Sequence, residues 1–241
     1  MSLENKSVLI TGAARRLGKA IALSVAKQGA NVVLHYHTSR SEAEETAEMI
    51  RQFNRSVWIF EADLTDANSI QSLIEKSQSV TTLYALVNNA SIFGNLSFVD
   101  TSLEAWNRHL EVNLTAPFLL TQKFASTYSL QETGRVINML DWRALRPGKD
   151  HFAYTISKAA LASMTRSTAL SLAPRICVNA IALGAILPPE NESPQPNLLK
   201  AVPLNRWATL EELTQTVLFL LDGPDYITGE IIHLDGGRHL I

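Results

Sequence analysis

Tyr154 and Lys158 are four residues apart in a stretch with helical spacing, so they share one face about one turn apart. An ammonium near a phenol favours the phenolate and is expected to lower its pKa. Such a tyrosine can trade a proton near neutral pH, which suits a general acid for reducing a carbonyl or an imine. Thirteen residues before Tyr154 stands Asp141, and a carboxyl group brought beside that phenol could supply or relay a proton as well. Burial beside a phenol would raise its pKa and keep part of it protonated. Pairing with Arg143 would instead make it a structural carboxylate.

A second chemical signal lies near the start of the chain. Thr11-Gly12-Ala13-Ala14-Arg15-Arg16-Leu17-Gly18 falls between an apolar strand run and a helical run. Gly12 permits a tight turn, Gly18 permits close packing of helix on strand, and the helix amino end offers N–H groups to a pyrophosphate. The residue that selects the cofactor is expected about 20 positions further on, where an acid would bond ribose hydroxyls. The sequence there is His35-Tyr36-His37-Thr38-Ser39-Arg40, with no acid. Together with Arg15 and Arg16, His37, Thr38, Ser39 and Arg40 can bind a 2′-phosphate, so NADP(H) is expected rather than NAD. A period of two puts His35 and His37 on one face. No third ligand at metal-binding spacing accompanies them, so no metal is expected.

These motifs need elements to hold them, and strands and helices alternate along the whole chain. The expected strands are Ser7 to Ile10, Asn31 to Tyr36, 56–63, 83–90, 134–140, 175–183 and 230–235. The expected helices are Leu17 to Gly29, Ser41 to Phe53, Asp66 to about Gln78, Leu103 to Tyr128 with a bend at Pro117, Phe152 to Ala173, and Leu210 to Leu221. Strands that are almost continuously apolar are buried on both faces, as in a parallel sheet covered by helices. The fold class is therefore α/β: a single doubly wound Rossmann domain over 1–241, with a parallel seven-stranded sheet and helices on both faces. The stretch 187–197 carries four of the nine prolines and no periodicity. A substrate lid is expected there, at about 187–200.

Composition bounds the rest. Hydrophobic residues are 46% and charged residues 18%, and 21 Lys and Arg against 23 Asp and Glu leave a net charge of −2. That is ordinary for a globular domain and argues against a nucleic-acid or membrane-surface binder. No signal peptide or spanning segment is evident, and the single cysteine, Cys177, reads as a buried hydrophobe. A cytoplasmic location is the expectation.

With Asn88-Asn89-Ala90-Ser91, Asn113 and Leu234-Asp235-Gly236-Gly237 added, the whole chain resembles the short-chain dehydrogenase/reductase family, its motifs following in that family's order and spacing. The resemblance implies that Asn89 and Ala90 line the cofactor path, and that Asp63 and Leu64 lie beside the adenine. It implies that Gly184 and Ile186 follow the sixth strand along the cofactor. Asn113 should hold a water in a proton relay, Tyr154 should act as acid, and Lys158 should bind the nicotinamide ribose. It also implies a homotetramer or homodimer packed through the helices at Leu103 to Tyr128 and Phe152 to Ala173.

Four positions depart from the family pattern. Arg16 replaces a glycine, Asp141 a serine and Ser91 a glycine, and Leu183 precedes Gly184 in place of a proline. The arginine, the aspartate and the His-Tyr-His strand end resemble the pteridine reductase and dihydromonapterin reductase branch. That branch implies a pterin-like substrate stacked on Phe93, hydrogen-bonded by Ser91 and Arg16, and protonated by Asp141 with Tyr154. Trp142, apart from the resemblance, is read as a wall of the pocket or as a packing residue. The alternatives are an NADPH-dependent carbonyl or 3-oxoacyl reductase using Tyr154 and Lys158, and a nucleotide-sensing protein without turnover.

Overall fold

The computed structural model describes residues 3–187, 199 and 201–241, and the expected lid at about 187–200 falls almost wholly outside them. Seven strands form one parallel sheet: β1 (Ser7–Ile10), β2 (Asn31–Tyr36), β3 (Val57–Glu61), β4 (Leu83–Asn88), β5 (Gly134–Asp141), β6 (Ile176–Leu183) and β7 (Ile231–Leu234). Their spatial order is β3-β2-β1-β4-β5-β6-β7. Strand order reverses between β1 and β4, and the crevice at the carboxyl ends of such strands is where ligands bind in open α/β sheets.

The pleat assigns side chains to two layers. Val8 and Ile10 join Val32, Leu34 and Ile181 in a core shared with Ile21 and Val25 of α1 (Arg16–Lys27), Ile50 of α2 (Arg40–Arg51) and Val217 of α7 (Leu210–Asp222). Leu9 and Val33 point the other way, toward Leu73 and Ile74 of α3 (Ala67–Val80) and Leu120 and Phe124 of α5 (Ala116–Thr127). Each fully buried aliphatic or aromatic side chain contributes about 1.5–3 kcal/mol by leaving water. Helices therefore cover both faces, as the apolar strands require.

The expected helix from Leu103 to Tyr128 is corrected. It comprises α4 (Leu103–Leu110), a π turn over Glu111–Thr115, and α5. Within the π turn the Ala116 N–H reaches the Glu111 carbonyl, five residues back. The turn stands directly before Pro117, which has no N–H to give the Asn113 carbonyl four residues earlier. α6 (Phe152–Leu172) completes the second layer, and Cys177 is buried as expected.

His35 is buried in β2 and fastens the first turn to the sheet. Its Nδ1 accepts from the Gly12 N–H at 3.0 Å, and its Nε2 donates to the Ala62 carbonyl at 3.1 Å. That pattern needs the neutral ring, and burial lowers its pKa from 6.5 to about 4. Between those values the unfolded chain binds the proton and the folded chain does not, so stability falls as pH falls through this window. Unfolding by urea should show about 2 kcal/mol lost to this group between pH 7 and pH 5. His35→Gln should be less stable at pH 7 and should show a shallower fall.

Candidate functional site

The carboxyl ends of β1 and β4 are stitched together by short polar bonds. The Thr11 hydroxyl accepts from the N–H groups of Asn89 and Ala90, each at 2.9 Å. The Asn89 amide donates to the Thr11 carbonyl at 2.8 Å and to the Gly12 carbonyl at 3.1 Å. Gly12 has φ +61, a left-handed conformation that glycine adopts without strain. At Gly18 an added Cβ would lie 2.7 Å from Asn89 Nδ2, 2.8 Å from Ala13 Cα, and nearer still to the Gly12 carbonyl.

This cradle fits a pyrophosphate. α1 begins with no side-chain cap and no acid in its first turn, so its amino end can favour an anion. Arg15 and Arg16 are exposed there, Leu17 is half-buried and Gly18 is buried. Arg16 has φ +53, a glycine-favouring conformation, at the position where the family pattern carries glycine.

The end of β2 separates the two histidines that the period-two reading placed together. His35 is buried, whereas His37 lies beyond the strand and is exposed with Thr38 and Arg40, and Ser39 is half-buried at the start of α2. No acid stands on β2 there, but one arrives from the next loop: Asp63 Oδ2 lies 3.8 Å from His37 Nε2. Asp63 is held below its ordinary pKa by hydrogen bonds from the Thr65 N–H and hydroxyl. Leu64 beside it is buried. Arg40 pairs with Glu44 at 2.9 Å, an exposed i,i+4 pair of the kind that contributes little.

At the other end of the crevice, β5 delivers Asp141 to α6. The Tyr154 hydroxyl donates to Asp141 Oδ2 at 3.2 Å, and Asp141 Oδ1 accepts from the Arg143 N–H at 2.8 Å. The Arg143 side chain bonds Asp150 at 3.0 Å and stands 3.9 Å from Asp141. Burial raises the Asp141 pKa, against opposing pulls from the Arg143 N–H and guanidinium. Lys158 is buried one turn from Tyr154, with its ammonium donating to the Met139 carbonyl at 2.7 Å.

The expected direction of the tyrosine shift is corrected. The Tyr154 pKa is raised well above 10, first by burial and then by the Asp141 charge. The Lys158 ammonium sits 5.9 Å from the Tyr154 ring centre, and burial lowers its own pKa to about 8. The phenol therefore keeps its proton at neutral pH, and the adjacent carboxyl is the more readily titrated of the two.

Asn113 is fully buried in the π turn, and its side chain joins two walls of the site. Its Oδ1 accepts from the Ser91 hydroxyl at 3.1 Å and the Ile92 N–H at 2.9 Å, and its Nδ2 donates to the Ile92 carbonyl at 3.1 Å. The same amide donates to the Ser157 hydroxyl at 3.0 Å, which donates to the Tyr154 carbonyl at 2.7 Å. Phe93 is 48% exposed and meets the Tyr154 ring edge-on at 4.7 Å. His151 stacks beside Phe93 at 4.1 Å and donates from Nδ1 to the Gly94 carbonyl at 3.0 Å. Gly184 approaches the chain at Asp235 so closely that a Cβ would stand 2.6 Å from its Cα, and Ile186 is buried next to it. Ser157 and His151 carried no sequence signal, because Ser157 is reached by Asn113 from 44 residues away and His151 reaches the Gly94 carbonyl from 57.

Comparison with known proteins adds the family context. A family profile described as enoyl-(acyl carrier protein) reductase matches residues 12–239. The 3-oxoacyl-[acyl-carrier-protein] reductase of Synechocystis sp. is 32% identical over 243 residues, covering 98% of each chain. The crystal structure of FolM alternative dihydrofolate reductase 1 from Brucella canis, complexed with NADP, is 36% identical with a TM-score of 0.93, covering 99% of this chain and 96% of its own. A short chain dehydrogenase from Burkholderia cenocepacia in complex with NADP is 28% identical with a TM-score of 0.92, covering 99% of each chain.

Gly18→Ala should disrupt the cradle, because backbone atoms of Gly12 and Ala13, besides the Asn89 amide, occupy the space. Overpacking of this kind costs about 1–3 kcal/mol. Fluorescence titration should show NADPH affinity lost beyond what the fall in melting temperature explains.

Proposed function

The chain belongs to the short-chain dehydrogenase/reductase family, and on that footing we propose that it is an NADPH-dependent reductase of a pterin, converting a dihydropterin to a tetrahydropterin, with dihydrofolate as a further substrate. The observation that carries the reading is the Asp141 carboxyl bonded to the Tyr154 phenol, with its pKa raised by burial. Reducing a ring C=N bond needs a proton at nitrogen, and a carboxyl of raised pKa supplies one better than a serine hydroxyl. The similarity to a dihydrofolate-reducing FolM protein supports the same substrate class.

Gly12, Leu17, Gly18 and the α1 amino end would hold the pyrophosphate, and Arg15, Arg16, His37, Thr38, Ser39 and Arg40 the 2′-phosphate. Asp63 and Leu64 would flank the adenine. Asn89, Ala90, Lys158, Gly184 and Ile186 would line the nicotinamide riboside end. When bound there, NADPH supplies the hydride to the ring carbon. Phe93, stacked on one face by His151 and half exposed, would take the pterin on its exposed side, and Ser91 and Arg16 would offer it hydrogen bonds. Asp141 gives its proton to the ring nitrogen, and Tyr154, still protonated, steadies the carboxylate that remains. Asn113 orients Ser91 and, through Ser157, the first turn of α6.

Exposed Leu103, Phe118 and Leu170 on the helices named for packing support a homodimer or homotetramer. Among the described residues no helix is long and apolar enough to cross a membrane. We place the protein in the cytoplasm. A second reading, reduction of a 3-oxoacyl group with Tyr154 as acid, is favoured by the 32% identity to a reductase of that name.

Purified protein with NADPH should oxidise the cofactor on adding dihydrobiopterin and not on adding a 3-oxoacyl ester. The reverse result would move the protein to the second reading. Asp141→Ala should lower pterin turnover at least about 100-fold. An unchanged rate in that variant would remove Asp141 from proton transfer. Wild-type turnover should decline with rising pH as Asp141 deprotonates, and Asp141→Asn should lose that limb of the profile. Replacing both His37 and Arg40 with Ala should weaken NADPH much more than NADH in binding titrations, and an equal loss would count against the 2′-phosphate assignment.

A further inference from the structure

Trp142 follows Asp141 directly, and two guanidinium groups lie against its ring. The Arg143 ζ carbon is 4.8 Å from the ring centre and the Arg238 ζ carbon 4.1 Å. Both distances are within cation–π range, which offsets some cost of partial burial. Their situations differ. Arg143 is anchored by Asp150, and Asp141 stands beside it. Arg238 is half-buried, and among the described residues no acid forms an ion pair with it and no acceptor bonds its guanidinium. Its Nε is buried without a partner, as is that of Arg143.

The turn that carries Arg238 is tightly built. Asp235 is buried, and its carboxylate accepts from the N–H groups of Gly237 at 3.0 Å and His239 at 2.9 Å. The same carboxylate bonds the His239 ring at 2.9 Å, so it is spent on the turn rather than on Arg238. Gly237 takes φ +85. The exposed Arg146 then donates to the Arg238 carbonyl at 3.2 Å, adding a third cation to the rim. Asp141, Asp150 and Asp235 act on Arg238 only at a distance, and burial and Arg143 both disfavour its charge. A fixed, partly desolvated arginine set beside another arginine is an arrangement that an incoming oxyanion would relieve.

We propose that Arg238, with Arg143 and Arg146 around Trp142, forms an oxyanion subsite for the side arm of the substrate, so that pterins ending in a carboxylate or phosphate are preferred over those with a neutral arm. This rests on the pterin reading for the identity of the substrate, but the subsite itself can be tested apart from it.

Steady-state rates should be compared for dihydrofolate, whose glutamyl arm is anionic, and dihydrobiopterin, whose arm is neutral. The ratio of their kcat/KM values should fall at least about tenfold in Arg238→Ala, through KM, and recover in part in Arg238→Lys. An unchanged ratio overturns the subsite. Arg146→Ala, at an exposed position, tests the same rim should Arg238→Ala fail to fold. Calorimetry on the NADP-loaded protein with p-aminobenzoylglutamate and with neopterin monophosphate separates carboxylate from phosphate. Arg238-dependent binding of either, without turnover of any pterin, would keep the subsite and discard the pterin reading. Binding of neither, or binding indifferent to Arg238, overturns it, as does Arg238 dependence seen only toward an acidic acyl carrier protein.

Discussion

A carboxyl and a phenol held 3.2 Å apart and largely out of water are the constraint around which the site is arranged. Two such groups cannot both ionise cheaply, so burial pushes both pKa values up and at least one proton stays between them. Asp141 is the one eased back toward ionisation, by the Arg143 N–H and guanidinium. Tyr154 feels Arg143 as well, but burial and the facing Asp141 charge outweigh it and hold the phenol well above its ordinary pKa. The result is a pair in which the carboxyl is the more readily titrated member, set at the end of β5 where the strand is still paired with β6.

The remaining structure keeps this pair and the cofactor cradle in register. β5 and β6 pair along eight residues from Gly134 to Asp141, which fixes Asp141 to the sheet. α6 brings Tyr154 and Lys158, and the Asn113–Ser157 bond ties that helix to the π turn, from which Asn113 also holds Ser91 and Ile92 in the loop after β4. His35 does the same at the opposite end, holding the Gly12 turn down on β2 and the β3 exit. Neutral polar groups with their hydrogen bonds satisfied do this positioning at both ends.

Much of this was legible in the sequence, for identifiable reasons. Strands buried on both faces must be apolar almost throughout, so Ser7–Ile10, Asn31–Tyr36 and Ile176–Leu183 could be read as a covered parallel sheet. The Tyr154–Lys158 spacing is a local helical fact. The bonds that tune the site are not local: Gly12 to His35 spans 23 residues, and Asn113 to Ser157 spans 44. The phenol shift was misjudged because the lysine four residues away is visible in sequence, whereas burial and the facing carboxylate are consequences of folding. The π turn was invisible because Pro117 signals a disturbed ladder without saying how the chain absorbs it. The partner acid for His37 came from the β3–α3 loop, 26 residues beyond it, where no spacing rule looks.

The most direct measurement is a ¹³C NMR titration of aspartate carboxyl carbons, with Asp141→Asn used to assign the Asp141 signal. A carboxyl poised to donate gives a midpoint clearly above the ordinary aspartate value of about 3.9. A midpoint at or below that value would mean that Arg143 holds Asp141 ionised, and the proton for the reaction would have to come from Tyr154 alone.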